Sequence, residues 1–253
     1  TVPGAIEAAQ RAKGFNKGLF EWLRKAPWGN PAFAGMFLSL VMFGFLGGIS
    51  GVVMGTEQIN LIIHNTIYVP GHFHATVVAG TTLAFMAITY LLVPLIFRRE
   101  VMFKKIAQWQ PYVFGLGIAG ISLFMMGAGT LGVPRRHWDI TFADALSQFQ
   151  FSPAAFLMLA LNGLSAIVAA IGGAMYIVVV VCSVFLGRKI GDNEVVQLGP
   201  VSGAASAAAV ARYGNEGTLK IPGTVVLVAV FFVSFVLYYF VNWKYLAEVW
   251  PLK

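Results

Sequence analysis

Charge is scarce in this sequence, and the scarcity sets its class. Only 11% of the 253 residues are charged, against 58% hydrophobic, and the mean hydropathy is +0.77. A soluble domain is about a quarter charged. With so few charges the chain cannot cover a water-facing surface, and it must be solvated by lipid or by other apolar chains. Cysteine is scarcer still. Cys182 stands alone, which excludes an internal disulfide, an iron–sulfur cluster on this chain and a Cys-rich zinc site. It reads as a small buried residue inside a helix. The first stretch, Thr1–Asn30, is polar and basic and lacks an apolar h-region, so no signal peptide is expected. It also lacks an initiator Met and reads as a fragment or a processed product.

What is present is a set of long uncharged runs. Gly29–Gly55, Gln108–Pro134, Gln150–Gly187 and Ile221–Trp243 carry no charge, and Thr66–Phe97 carries only two histidines. Each exceeds the ~20 residues that cross a bilayer as a helix. The runs are continuously apolar rather than alternating, which favours helices over a barrel. The expectation is an all-α integral membrane bundle of five transmembrane helices, at about 31–54, 66–97, 108–131, 152–187 and 222–246. Residues 1–30 form a basic cytoplasmic connector, and 31–253 form a membrane domain belonging to a larger bundle. The segment Gly14–Trp28 reads either as a plain connector or as a piece lying along the inner membrane surface. The fourth run is longer than a bilayer and must tilt or project. No internal repeat is visible, and the Gly/Ala/Ser-rich loop over 188–220 carries no motif.

A net charge of +7 suggests nucleic acid in a soluble protein. In a membrane protein it means basic loops against an anionic inner leaflet, and no nucleic-acid partner is expected. With the N-terminus inside, the inner segments hold Arg11, Lys13, Lys17, Arg24, Lys25, Arg98, Arg99, Lys104, Lys105, Arg188, Lys189, Arg212 and Lys220. That is 13 of the 17 basic residues, as positive charge on the inner side requires. Trp243, Tyr245 and Trp250 fit an interfacial aromatic belt on the outer side.

Four histidines occur, His64, His72, His74 and His137. Two of them lie in Val69-Pro70-Gly71-His72-Phe73-His74, at the outer end of the second expected helix. Histidine inside a membrane helix is costly and usually functional. Positions i and i+2 of an α-helix differ by roughly 200°, so His72 and His74 point to opposite sides. One shared metal would prefer i, i+4 on one face; this pair suits two separate metals flanking the helix. Imidazole is the usual axial ligand of heme iron, and Phe73 would lie between two such groups. Pro70-Gly71 at the helix start lets large planar groups come close to the backbone. The plainer reading is two histidines hydrogen-bonded to neighbouring helices.

The outer loop after the third helix reads Gly132-Val133-Pro134-Arg135-Arg136-His137-Trp138-Asp139. Two adjacent arginines on the outer side answer a local anion. Arginine forks bind carboxylates in bidentate fashion, and heme propionates are carboxylates. Ion pairs with Asp139 or Asp144, or lipid headgroups, are the plainer readings.

The stretch His64-Asn65-Thr66-Ile67-Tyr68-Val69-Pro70-Gly71-His72-Phe73-His74 resembles the heme-binding helix of heme-copper oxidase subunit I. Its wording is most similar to the B-type (ba-type) members. Gly132-Val133-Pro134-Arg135-Arg136 resembles the family's propionate-binding loop, and the order of helices matches from Phe20–Pro31 onward. The resemblance implies that His72 is the proximal, catalytic ligand of a high-spin heme iron. It makes His74 an axial ligand of a low-spin heme iron, and Phe73 part of the electron path between them. Arg135 and Arg136 would hold propionates. His64 would lie near the propionates of the high-spin heme, at the exit side of a proton path. B-type relatives often carry Asp four residues before that histidine, where this chain has Asn60.

The resemblance further implies reduction of oxygen to water coupled to proton translocation, in a prokaryotic plasma membrane with the heme ligands near the outer side. Implied partners are the N-terminal half of subunit I, a subunit II or equivalent, oxygen, and a cytochrome c, copper protein or quinol as electron donor. The family's copper B ligands, the second ligand of the low-spin heme and the cross-linked tyrosine lie in earlier helices, so another chain or segment must supply them. The alternatives are a nitric oxide reductase of the same superfamily, a non-catalytic membrane cytochrome b, and a transporter with functional histidines.

Overall fold

A computed structural model describes residues 2–136, 151–191, 196 and 221–249. Two short helices, α1 (Val2–Ala12) and α2 (Glu21–Arg24), precede the first long one, α3 (Pro31–Gly55). A short helix, α4 (Glu57–Ile63), leads to α5 (Tyr68–Ile96). The long helices α6 (Lys104–Thr130), α7 (Pro153–Leu186) and α8 (Pro222–Val249) complete the chain. No strand forms among the described residues; pairing outside the helices is limited to isolated bridges. The protein is therefore all-α, with five helices long and apolar enough to cross a membrane.

The long helices begin where the local chemistry starts a helix. Asn30 caps α3, its Oδ1 accepting from the backbone N–H of Ala32 (2.9 Å) and Phe33 (3.1 Å), with Pro31 in the first turn. Ser152 and Pro153 repeat the device at α7, where Ser152 Oγ accepts from Ala155 N at 3.3 Å. A side-chain acceptor satisfies the orphan donors and proline has no N–H to leave unpaired. Helix α8 also starts with proline, but Ile221 before it has no side-chain acceptor. Glu7 of α1 supplies one: its carboxylate accepts from Gly223 N at 2.9 Å and Thr224 N at 2.6 Å, and Arg11 Nε donates to it at 2.8 Å. The stretch expected as a basic connector thus contains a helix that caps the last span.

Two boundaries differ from the uncharged runs. Helix α6 starts at Lys104, not near 108, because lysines in a first turn can reach the membrane surface while their stems cover apolar area. Helix α5 starts at Tyr68 because Thr66 and Ile67 are engaged elsewhere, as described below. At 34 residues, α7 is about 51 Å long, well beyond the ~30 Å hydrocarbon core. Cys182 on it is half-buried rather than buried.

Helix α6 is the most buried of the five and α8 the least. The α6–α7 contact is set by small residues: an added Cβ at Gly172 would lie 2.5 Å from Phe114 N, and Gly117 abuts Ala169. Without a hydrophobic drive between helices in lipid, close backbone approach and interhelical hydrogen bonds hold such bundles. Here Tyr90 OH donates to Gln110 Oε1 (3.0 Å), Gln110 Nε2 to Gly172 O (3.3 Å) and Tyr176 OH to Thr89 Oγ1 (2.9 Å), tying α5, α6 and α7. Just past the C-terminal ends of α5 and α7, Glu100 N donates to Arg188 O (3.0 Å) and Arg188 pairs with Glu100 (2.7 Å).

Two helices change winding. Met42–Gly48 of α3 and His74–Thr82 of α5 are π-helical and pack on each other: a Cβ on Gly47 would lie 2.6 Å from Thr76 Cγ2. Segments of this kind concentrate at functional sites, and the second begins at His74.

Candidate functional site

The N-terminal end of α5 is organised by a short backbone pairing. Ile67 N donates to Val133 O (2.9 Å), Arg135 N donates to Asn65 O (2.8 Å), and Thr66 pairs with Pro134. Asn65 and Arg136 both have positive φ, 61° and 64°, the left-handed conformation that asparagine tolerates better than most residues. The pairing brings the arginine loop against the segment leading into the histidine helix. Arg135 Nη2 donates to Asn65 Oδ1 at 3.0 Å, while Arg135 Nε is buried with no hydrogen-bond partner among the described residues. Arg136 is exposed beside it. His137, Asp139 and Asp144 lie outside the described residues, as do Trp250 and the side chains of Trp243 and Tyr245.

In each of the three described histidines, Nδ1 lies within hydrogen-bond distance of an oxygen. His74 Nδ1 lies 2.8 Å from Pro70 O, a carbonyl one turn back on its own helix. A carbonyl only accepts, so Nδ1 carries the hydrogen and Nε2 keeps its lone pair. His72 Nδ1 lies 2.9 Å from Ser50 Oγ on α3. His64 Nδ1 lies 3.1 Å from Asn60 Oδ1, and Asn60 Nδ2 donates to Met54 O at 2.9 Å. The neighbours of His72 and His74 thus differ, one on α3 and one on α5 itself. Between them Phe73 is 53% exposed, its ring centroid 5.6 Å from that of His72. His72 and His74 are half-buried, and His64 is exposed.

Gly71 is placed differently from the sequence expectation. A Cβ there would lie 2.8 Å from Met126 Cγ and 2.9 Å from Met126 N. Its missing side chain lets α5 approach α6, and the space is filled by protein rather than left for a planar group. Sequence reasoning also passed over Ser50 and Gly51. The available signal was a lone hydroxyl in an otherwise uncharged helix, which identifies no partner without the packing.

Among the described residues no three His, Cys, Asp or Glu side chains gather to hold a metal ion. The donor set present fits a different kind of iron site. An axial heme ligand needs an imidazole whose other nitrogen is hydrogen-bonded, and His72 and His74 both meet this. A propionate needs donors at the periphery, and Arg135 has a buried N–H without a partner among the described residues.

The profile of the cytochrome c and quinol oxidase polypeptide I family matches residues 1–164. The chain belongs to this family. A cytochrome c oxidase subunit 1 of Thermus thermophilus is 35% identical over 148 residues, which cover 57% of this chain and 26% of that protein. Quinol oxidase subunit 1 of Bacillus subtilis (strain 168) is 26% identical over 145 residues, 55% of this chain and 22% of the relative. A heme-copper terminal oxidase dimer solved by cryo-EM superposes with a TM-score of 0.62 at 28% identity, covering 79% of this chain and 36% of the solved one. The chain spans about a quarter of the length of these two subunit 1 relatives. As a polypeptide I member it is a membrane-spanning part of an oxidoreductase family that generally binds hemes and copper.

Proposed function

We propose that this chain is the C-terminal, heme-binding part of subunit I of a B-type terminal oxidase. The observation that carries the reading is the pair His72 and His74. Two residues apart on one membrane helix, they have separate Nδ1 partners and therefore two free Nε2 atoms. His72 is assigned to the high-spin heme iron, at the catalytic centre, and His74 to the low-spin heme iron. Phe73, exposed between them, bridges the two ligands along the electron path. Arg135 offers its buried Nε–H, and Arg136 its exposed guanidinium, to propionates, where charge-assisted bonds hold the anions in place. His64, bonded to Asn60, is assigned to the outlet for protons near the same propionates. An amide at Asn60 does not take up a proton there; it orients His64 instead.

When bound, the hemes would supply the one-electron chemistry through which oxygen is reduced to water. Copper B, held by residues of the N-terminal half or another chain, completes that centre. We assign the N-terminus to the inner side of a prokaryotic plasma membrane, so that the basic segments 1–30 and 98–107 face the cytoplasm and the histidines lie near the outer side. A subunit II or equivalent is the expected partner. Cytochrome c, a copper protein or a quinol supplies electrons, consistent with relatives named as cytochrome c oxidase and as quinol oxidase. Proton translocation accompanies the reaction.

The test uses the assembled membrane complex and its reduced-minus-oxidised absorbance spectrum, with and without carbon monoxide. Two hemes are expected, of which one binds carbon monoxide. His72→Ala removes the carbon-monoxide-binding heme and His74→Ala the other, each leaving the remaining spectrum largely intact. Retention of both hemes in both variants would sink the ligand assignment.

A further inference from the structure

Ser50 sits on α3, 4% exposed, just past the π-helical segment Met42–Gly48. Its hydroxyl has three neighbours within hydrogen-bond distance: Leu46 O, Gly47 O at 3.1 Å and His72 Nδ1 at 2.9 Å. A hydroxyl has one hydrogen, and carbonyls only accept. If that hydrogen pointed at His72, the oxygen would face two carbonyl lone pairs at close range with nothing between. The hydrogen therefore goes to the backbone carbonyls, and towards His72 the Ser50 oxygen is an acceptor. His72 Nδ1 carries the hydrogen, which makes Nε2 the nitrogen with the lone pair.

The next residue completes the seat. A Cβ on Gly51 would lie 3.0 Å from His72 Cε1, so only glycine leaves the ring its normal clearance there. Ser50 holds one edge of the imidazole, and Gly51 leaves room for its face. A bond accepted from Nδ1–H also raises the basicity of the other nitrogen, which is how groups behind a ligating histidine tune its metal.

We propose that Ser50 is a positioning residue of His72: beside the Gly47 carbonyl, which also hydrogen-bonds the ring, its hydroxyl helps hold the tautomer, the ring orientation and the strength of the bond to iron. The assignment rests on His72 being a heme ligand, and it concerns a residue that touches neither iron nor heme. Its hydroxyl acts through the imidazole alone.

The experiment compares Ser50→Ala and Ser50→Thr with the unaltered protein in the assembled complex. The readouts are the iron–histidine stretching band of the reduced high-spin heme by resonance Raman, its midpoint potential and its retention. Ser50→Ala is expected to lower the stretching frequency, raise the potential and weaken heme retention about 10-fold, the low end for loss of such a partner. Ser50→Thr, which keeps the hydroxyl, should restore all three towards the unaltered values, and the low-spin heme should be unchanged in both. Loss of the high-spin heme in Ser50→Ala with recovery in Ser50→Thr supports the same role. An unshifted band and potential in Ser50→Ala overturn it, and so does loss of heme in both variants, which would mark Ser50 as packing only. His72→Ala runs alongside: if the band survives there, the ligand assignment itself is wrong and the role of Ser50 falls with it.

Discussion

At the scale of single residues, the side chains at the N-terminal end of α5 are arranged by what can donate and what can only accept. Pro70 O, Ser50 Oγ and Asn60 Oδ1 each take the Nδ1 hydrogen of a histidine. Arg135 shows the complementary case, a donor with one bond to Asn65 and one buried N–H left over. A buried unsatisfied donor is costly, and a carboxylate from outside this chain would remove that cost. Replacing Arg135 by Ala should therefore lower a heme midpoint potential by about 60 mV, the one-electron equivalent of a tenfold change, with iron and heme retained. Potentiometric titration of the assembled complex checks this, and complete loss of heme would contradict a role confined to propionates.

At the scale of elements, the starts of α3 and α7 are legible in Asn30-Pro31 and Ser152-Pro153 because a cap is a local arrangement of three or four residues. The five spans are legible for a related reason. In lipid a segment must satisfy its backbone internally, so an uncharged run of sufficient length has one available structure. The short helix α4 and the π-helical segments were not legible, since neither changes the hydropathy of its surroundings. Helix contacts were not legible either. Gly172 and Gly173 are neighbours of identical chemistry, yet they meet different surroundings. A Cβ on the first would lie 2.5 Å from Phe114 N, and one on the second would reach only ordinary contact, 4.0 Å from Phe114 Cε2. Gly172→Ala should therefore destabilise the bundle by about 2 kcal/mol through overpacking. Gly173→Ala should be neutral or slightly stabilising, because alanine is the better helix former. Thermal unfolding in detergent, followed by circular dichroism, separates the two.

At the scale of the whole molecule, Glu7 joins the first helix to the last across 216 positions of sequence. Burial alone would push its carboxyl up. The hydrogen bonds from Thr224, Arg11 and Gly223 outweigh burial and hold it below the usual glutamate range. A carboxyl lowered on folding contributes stability above its unfolded value and loses it as pH falls through the folded one. The α1–α8 junction should therefore be intact at neutral pH and loosen only below the ordinary carboxylate range. Hydrogen exchange at the amides of Gly223 and Thr224, corrected for intrinsic rates, is the measurement. Their protection should fall in acid in the unaltered protein and be weaker but independent of pH in Glu7→Gln.

The amino-acid sequence by itself determined the class, the number of spans, the segregation of basic residues and the histidine motif. Each of these depends on composition or on neighbours within a few positions, and the surrounding lipid leaves little choice of local structure. The tertiary structure decided the rest. Ser50 meets His72 across 22 positions, Asn65 meets Arg135 across 70 and Glu7 meets Gly223 across 216. Gly71 turned out to serve the approach of α6 rather than of a planar group. Such pairings follow from how the helices are packed against one another, and no local period in the sequence specifies which faces will meet.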